Sequence, residues 1–293
     1  MNRVGVVILN YGSPDDTICL TKSLLCLSEK IDVVIVDNFS SLNNQSLIYS
    51  FLAQEDSEYL HFIKSPVNVG YGEGNNLGLE KLFDQIGCKF SLILNPDVIL
   101  GDEFSLKALY SHDPDDISLY TGIIDQHGSK YSTFFFNPKN FRSKKYMELE
   151  NDRKTPVYPS GCCWGMSKKI WNEIGGFSKY LFLYFEELDF IYRYKHNFGQ
   201  FPKITIIPSI VVTHLEGGAT GSSHIGNEIS PLADYWSTVS RIIFCRRHLA
   251  RYLLIALLYN FFKMLLRLLI LRFVNAKSIF LGTFRGIFFK WGK

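Results

Sequence analysis

The sequence predicts an α/β fold: a mostly parallel sheet flanked by helices, followed by a C-terminal helical region that is both basic and apolar. Two observations predict it. Short runs rich in Val and Ile at 4–9, 33–36, 60–63 and 90–94 alternate with segments of helical character. Strand–helix–strand alternation is the pattern of a parallel sheet with right-handed crossovers. The charge is also divided. All 28 Asp and Glu lie at or before Asp234, whereas 235–293 carry 11 Lys and Arg and no acid, so a formal +3 splits into −8 and +11. This predicts a sheet domain over 1–225 and a helical region over 226–293. It excludes a uniformly basic nucleic-acid coat, and no nucleic-acid partner is expected.

The elements follow in order. With 47% hydrophobic and 20% charged residues, most of the 293-residue chain is expected to fold around a core. Residues 4–9 read as a first buried strand. Six apolar-run positions broken by Gly5 and followed by Asn10-Tyr11-Gly12 are too few for a secretory apolar segment, so a cytosolic protein is expected. Ser13-Pro14-Asp15-Asp16 opens a helix, with a cap residue, proline at the first position and acids in the first turn. Further helices are expected over about 43–54 and 73–86. The stretch 113–160 reads as an insertion with strands at 117–124 and 131–136 and a charged segment at 142–154. A helix near 167–174, another from about 186 to 198 and a strand near 204–213 come next, and then a glycine-rich stretch at 216–221. The six cysteines form no CxxC pair and match no zinc spacing, so reduced, mostly buried thiols are expected.

Open α/β sheets bind ligands beyond the carboxyl ends of their strands. Polar residues follow each of the four runs: Asn10-Tyr11, then Asp37-Asn38, then Asn68 through Asn76 with Gly70, Gly72 and Gly74, then Asn95-Pro96-Asp97. Each has an ordinary reading beside a functional one. Asp37 either accepts the imide N–H of a uracil or thymine ring or caps a turn. The 68–78 segment either lets the backbone approach a ligand or is a long irregular loop, and it is not the GxGxxG fingerprint. Asp97 either ligates Mg²⁺ or Mn²⁺ on a nucleoside diphosphate or ends an Asn-Pro turn. Glu186, Glu187 and Asp189 either supply a general base or favour a helix N-terminus, with Asp189 pairing Arg193. Their neighbours Phe182, Tyr184, Phe185 and Phe190 favour a base, because partial desolvation raises carboxylate basicity. His214 either serves a diphosphate or metal or is structural.

In the tail, the longest uncharged run is 252–262, 11 residues, where about 20 are needed to cross a bilayer. Beyond it, Lys263, Arg267 and Arg272 interrupt the apolar residues. Many cations, no acids and abundant Leu, Ile and Phe fit a segment lying on anionic lipid; a buried helical hairpin or a dimer interface remains open.

Taken as an ordered set, 6–11, 34–38, 68–78, 94–97, 175–177, 184–189 and His214 resemble glycosyltransferase family 2, the inverting enzymes of Rossmann-like GT-A fold, and most of all its rhamnosyltransferase-like subgroup of bacterial surface-polysaccharide assembly. The resemblance spans about 4–218. It implies a nucleotide-sugar pocket formed by Asn10, Tyr11, Asp37, Asn68, Gly70, Asn75 and Asn95, and a Mg²⁺ or Mn²⁺ site at Asp97 with His214. It implies Glu187 as catalytic base, with Glu186 and Asp189 as lesser candidates. Two departures stand out. The family's usual Glu-Asp is Glu186-Glu187 here, and the first acid of its Asp-x-Asp motif is Asn95. The implied reaction is inverting transfer of a sugar, rhamnose among the candidates, from a UDP- or dTDP-linked donor to a hydroxyl of a lipid-linked saccharide in bacterial O-antigen (lipopolysaccharide) or other surface polysaccharide assembly. The implied location is cytoplasmic, peripheral on the inner face of the bacterial inner membrane. The alternatives are a nucleotidyltransferase, disfavoured by the acidic 10–16 stretch, and a non-catalytic membrane module on a degenerate transferase fold.

Overall fold

The computed structural model describes residues 2–147, 153–215 and 230–291. Strands β1 (Val4–Asn10), β2 (Asp32–Asp37), β3 (Leu60–Lys64) and β4 (Phe90–Leu94) are separated by helices α1 (Pro14–Leu25), α2 (Leu42–Leu52) and α3 (Tyr71–Glu80), the last continuing as a π-turn over Lys81–Ile86. Every residue of β1, β2 and β4 is buried, which is why these strands read as continuous apolar runs rather than alternating ones. They pair in parallel in the order β3-β2-β1-β4, and the register sets Asn10 beside Asp37. The carboxyl ends of all four strands therefore share one edge. Pro14 opens α1 as expected. The Ser13 side chain makes no cap bond, and the Ser13 N–H instead donates to Asn10 Oδ1 at 3.2 Å.

Beyond β4 the sheet becomes mixed. Strand β5 (Val98–Leu100) and the short α4 (Lys107–Ser111) lead into β6 (Leu119–Gln126) and β7 (Ser129–Tyr131). Strands β8 (Thr133–Asn137), β9 (Arg142–Tyr146) and β10 (Val157–Pro159) form a separate three-stranded sheet, and β11 (Cys163–Ser167) returns to the main one. After α5 (Lys168–Ile174) and α6 (Glu186–Phe198), β12 (Ile204–His214) completes the order β4-β11-β6-β12-β5. The expected insertion is thus divided. Its first strand is a central member of the main sheet, parallel to β12, and among the described residues only strands β8, β9 and β10 stand apart.

The tail forms α7 (Pro231–His248), α8 (Leu253–Leu269) and α9 (Phe273–Ile287). Helix α7 packs onto the sheet domain, with Phe244 against Phe136 and Phe185 at ring separations of 5.9 and 5.4 Å. Helix α8 is inverted relative to a helix of a water-soluble domain. Its polar residues turn inward: Lys263 Nζ and Arg267 Nε lie 2.8 and 2.9 Å from the fully buried Asp234 of α7. Its apolar residues turn outward, with Leu254 68%, Phe262 63% and Leu269 80% exposed. Within α8 the inward residues Ala256, Asn260, Lys263 and Arg267 recur at helical spacing, so its two cations share the inner face of a hairpin. By length and composition alone, 250–269 is a helix long and apolar enough to cross a membrane. The expected boundary between 225 and 226, and the glycine-rich 216–221, lie outside the described residues.

Four of the six cysteines are buried, Cys88, Cys162, Cys163 and Cys245, and all six are free thiols.

Candidate active site

One cavity of about 690 Å³ opens at the shared carboxyl edge. That volume suits a nucleotide-sized ligand. Tyr11, Asn68, Gly70, Asn95, Asp97, Glu186, Glu187 and His214 line it together, so eight of the twelve predicted residues meet at one hollow.

The strand register explains the Asp97–His214 pair. Strand β5 runs antiparallel to β12 with Val98 opposite His214, which carries the preceding Asp97 to the imidazole. His214 Nε2 lies 3.5 Å from Asp97 Oδ1, and the Leu215 N–H donates to the Asp97 carbonyl at 3.0 Å. Burial disfavours the imidazolium, but Asp97 and the Cys162 thiol together outweigh it and push the His214 pKa up to about 10. His214 Nδ1 is buried without a hydrogen-bond partner among the described residues. Among the same residues no group of three or more His, Cys, Asp and Glu gathers as a metal cage. One carboxylate, with one imidazole once it gives up its proton to the entering ion, fits a divalent cation whose remaining ligands come from phosphates and water.

The acid pair comes from the start of α6. Tyr184 and Phe185 both hold φ near +70°, and Phe185 is the residue from which α6 starts. Two consecutive non-glycine residues in this region cost of order 1–3 kcal/mol each. The segment is pinned on both sides: the Tyr71 N–H donates to the Phe182 carbonyl at 2.9 Å, and Ser240 Oγ of α7 donates to the Leu183 carbonyl at 2.7 Å. Glu186 is 2% exposed, and its Oε1 has no hydrogen-bond partner among the described residues. Burial, then the neighbouring Glu187 charge, raises the Glu186 pKa well above the carboxylate range; burial raises that of Glu187. Tyr71 Oη donates to the Gly161 carbonyl at 2.7 Å and stays neutral, its pKa raised by burial and by the two glutamates.

Four predicted residues lie elsewhere. Asp189 does not line the cavity, and three cations hold it instead. Arg193 Nε donates to its Oδ2 at 2.7 Å, while His248 Nε2 and Arg247 Nη1 reach Oδ1 at 2.8 and 3.3 Å. Against the effect of burial, these partners hold its carboxyl below the usual range. Asp37 is fully buried one layer behind the cavity surface, where it accepts from Asn10 Nδ2 at 2.8 Å and from the Ser40 N–H at 3.3 Å. Asp37 and Asn10 therefore brace the strand ends where a base contact was expected. Asn75 is likewise buried, donating to the Tyr71 carbonyl at 3.0 Å.

Asn38 and Tyr71 fall in the strand-end segments singled out in the sequence without being assigned a role, and Gly161, Trp236 and Arg241 were missed; all five line the cavity. Asn38 ties the strand ends to the glycine-rich loop, donating to Asn68 Oδ1 and to the Gly70 carbonyl, each at 3.1 Å. Gly161 has a sharper role. A Cβ there would overlap Glu187 Oε1 and crowd Tyr71 Oη at 3.1 Å. The longer glutamate thus occupies space that the glycine leaves open. Gly161→Ala is expected to push the carboxylate aside with little cost in stability, because the end of a flexible side chain is what moves. A displacement of about 1 Å costs roughly a hundredfold in rate, readable as kcat at an unchanged melting temperature. Gly70→Ala should do worse, since φ is +88° and the added carbon would meet the Phe182 backbone.

Residues 5–175 match the profile described as "Glycosyl transferase family 2". The chain belongs to glycosyl transferase family 2. It is 28% identical over 211 residues to the low-salt glycan biosynthesis hexosyltransferase Agl10 of Haloferax volcanii, a match covering 68% of this chain and 65% of that protein. The chain thus matches just under two thirds of that relative's length. Two solved structures share the fold: GalNAc-T7 with UDP, GalNAc and Mn²⁺ (TM-score 0.57, 14% identity, 84% of this chain and 50% of that one), and the mannosyltransferase PcManGT of Pyrobaculum calidifontis with GDP-Man and Mn²⁺ (TM-score 0.55, 12% identity, 99% and 88%). A glycosyltransferase of GT-A fold, with a mixed sheet flanked by helices, is the reading these likenesses support.

Proposed function

We propose that this family 2 glycosyltransferase moves a hexose or deoxyhexose, rhamnose among them, from a nucleoside-diphosphate sugar to a hydroxyl of a lipid-linked saccharide in bacterial surface-polysaccharide assembly. One observation carries the reading: a cation-suited pair, Asp97 and His214, and a raised-pKa acid pair, Glu186 and Glu187, line one cavity. Transfer by a single displacement needs both, one beside the leaving diphosphate and the other beside the attacking hydroxyl.

Glu187 takes the proton from the acceptor hydroxyl as that oxygen attacks the anomeric carbon, and the configuration inverts. Its Oε1 is aimed by the gap at Gly161. The more deeply buried Glu186 keeps its proton, so the two carboxyls divide the roles of base and neutral neighbour. Tyr11 and Asn68 shape the nucleotide side. Asp97 and His214 would hold Mg²⁺ or Mn²⁺, which when bound neutralises charge on the departing diphosphate. The donor nucleotide is UDP or dTDP. Asp97→Ala is expected to lower transfer more than about a hundredfold and to remove the metal dependence of UDP binding, measured by calorimetry with and without chelator.

The lipid side follows from α8. Apolar residues facing out and cations facing a buried acid are the arrangement of a helix that lies in a membrane interface. A spanning α8 would have to leave α7 and carry Lys263 and Arg267 into lipid unpaired. The chain therefore docks peripherally on the inner face of the inner membrane.

The test is incubation of the full chain with a panel of nucleotide sugars and a lipid-linked acceptor, measuring nucleoside diphosphate release. Acceptor-dependent release with one donor is expected. Absence of release with every donor, in the presence of Mn²⁺ and lipid, contradicts the reading.

A further inference from the structure

Arg241 of α7 stands out among the buried cations. Arg267, equally buried, is paired with Asp234. Arg241 is 5% exposed, lines the cavity, and has no carboxylate partner among the described residues. Its Nη1 donates to Asn260 Oδ1 of α8, and its Nε has no hydrogen-bond partner among those residues. Its guanidinium lies 4.3 Å from the Tyr259 ring centroid and 5.7 Å from that of Phe185. The nearby Asp234 is already engaged by Lys263, Arg267 and Asn275. Burial lowers the Arg241 pKa to about 10, which leaves it charged at neutral pH.

An unpaired guanidinium withdrawn from water is costly, and aromatic faces offset only part of that. A fixed fork of donors in a partly apolar wall is the usual device for phosphoryl groups. We propose that Arg241 is the counter-ion of a diphosphate entering the cavity from the α7 side, the diphosphate that joins the acceptor saccharide to its lipid. Two features favour the acceptor over the donor as its source. Arg241 is bonded to α8, the helix whose outer face is apolar, and Asp97 with His214 already serve a diphosphate from the other strand ends. Trp236, also on α7, stacks on Phe182 at 4.3 Å and lines the same cavity, an apolar platform for a sugar ring. The assignment of the source rests on the transfer reading above.

The test has a turnover arm and a binding arm. In the first, the full chain in lipid nanodiscs is assayed with one saccharide presented on polyprenyl diphosphate and on an uncharged alkyl glycoside. Arg241→Met is expected to raise KM for the diphosphate acceptor ten- to a hundredfold, to leave KM for the alkyl glycoside unchanged, and to be partly rescued by Arg241→Lys. Equal increases for both acceptors, or none, overturn the proposal. If KM for the diphosphate acceptor holds but UDP affinity falls by a similar factor, the anion is the donor's and the lipid source is overturned. In the second arm, inorganic pyrophosphate is titrated in EDTA, which silences any site that needs a divalent cation. Wild type should gain thermal stability and Arg241→Met should not. Equal gains overturn the proposal, whereas loss of the gain in a chain that transfers no sugar keeps the subsite and overturns the transfer reading. Should Arg241→Met fail to fold by circular dichroism, Arg241→Gln replaces it in both arms, and Arg241→Lys carries the comparison if that fails as well.

Discussion

Glu187→Gln is expected to lower kcat by about two to four orders of magnitude, the range a positioned general base supplies, with little change in the melting temperature or in donor affinity. Glutamine keeps the shape at Gly161 but cannot take a proton. Glu186→Gln separates the two acids. Glu186 is 2% exposed with an unpartnered Oε1, and its raised pKa means that the folded state prefers its carboxyl protonated. A raised folded pKa contributes stability that is fully present below the unfolded value and is lost as pH rises through the folded one. Glu186→Gln should therefore stabilise the chain at neutral pH, with the gain shrinking on acidification, while most activity survives. The wild-type rate should fall on acidification through an apparent pKa above the ordinary carboxylate range, and that limb should vanish in Glu187→Gln. Greater loss in Glu186→Gln than in Glu187→Gln would exchange the two roles.

Asp234→Ala should be the most damaging single change to the tail. Asp234 is fully buried and meets Lys263, Arg267 and Asn275 at 2.8, 2.9 and 2.8 Å. Its removal leaves two cations without a counter-charge, and breaking a buried pair in this way costs about 3–5 kcal/mol. Helices α8 and α9 should then detach from α7, read as lost protection of α8 amides in hydrogen exchange. The acid dependence has a definite sign. The partners of Asp234 outweigh burial and lower its pKa, so its contribution is present above the unfolded carboxylate pKa and is lost as pH falls through the folded one. Replacing both cations along with the acid, as Asp234→Ala with Lys263→Met and Arg267→Met, should restore the packing. Without that restoration, the ion pairs are not what joins α8 to α7.

Much of the site was legible because parallel strands leave few choices. Once β1, β2, β3 and β4 are read as strands, the residues after them fall on one edge, and Tyr11, Asn68, Asn95 and Asp97 reach the cavity as expected. Spacing cannot say which layer a strand-end side chain occupies. Asp37 and Asn10 sit behind the surface because they bond to each other across adjacent strands. Asp189 was drawn away by Arg193, the i+4 partner visible in the sequence, and by His248 and Arg247, distant cations that were not. The tail was the least legible part. A 3.6-residue period reads the same whichever face meets lipid, so the inward turn of Lys263 and Arg267 needed the partner on α7. The role of Gly161 depends on a side chain 26 positions away, and no local signal marks it. The nearest cue to Arg241 and Trp236 is that they follow Asp234, the last acid in the chain, on one helix.

The most direct test of the account is the anomeric configuration of the product, read by proton NMR after wild-type transfer from a donor of defined configuration. A single displacement, with Glu187 taking the proton of the attacking hydroxyl and Asp97 and His214 at the departing diphosphate, predicts a new glycosidic bond of the opposite configuration to the donor's. A product that retains the donor configuration would contradict it.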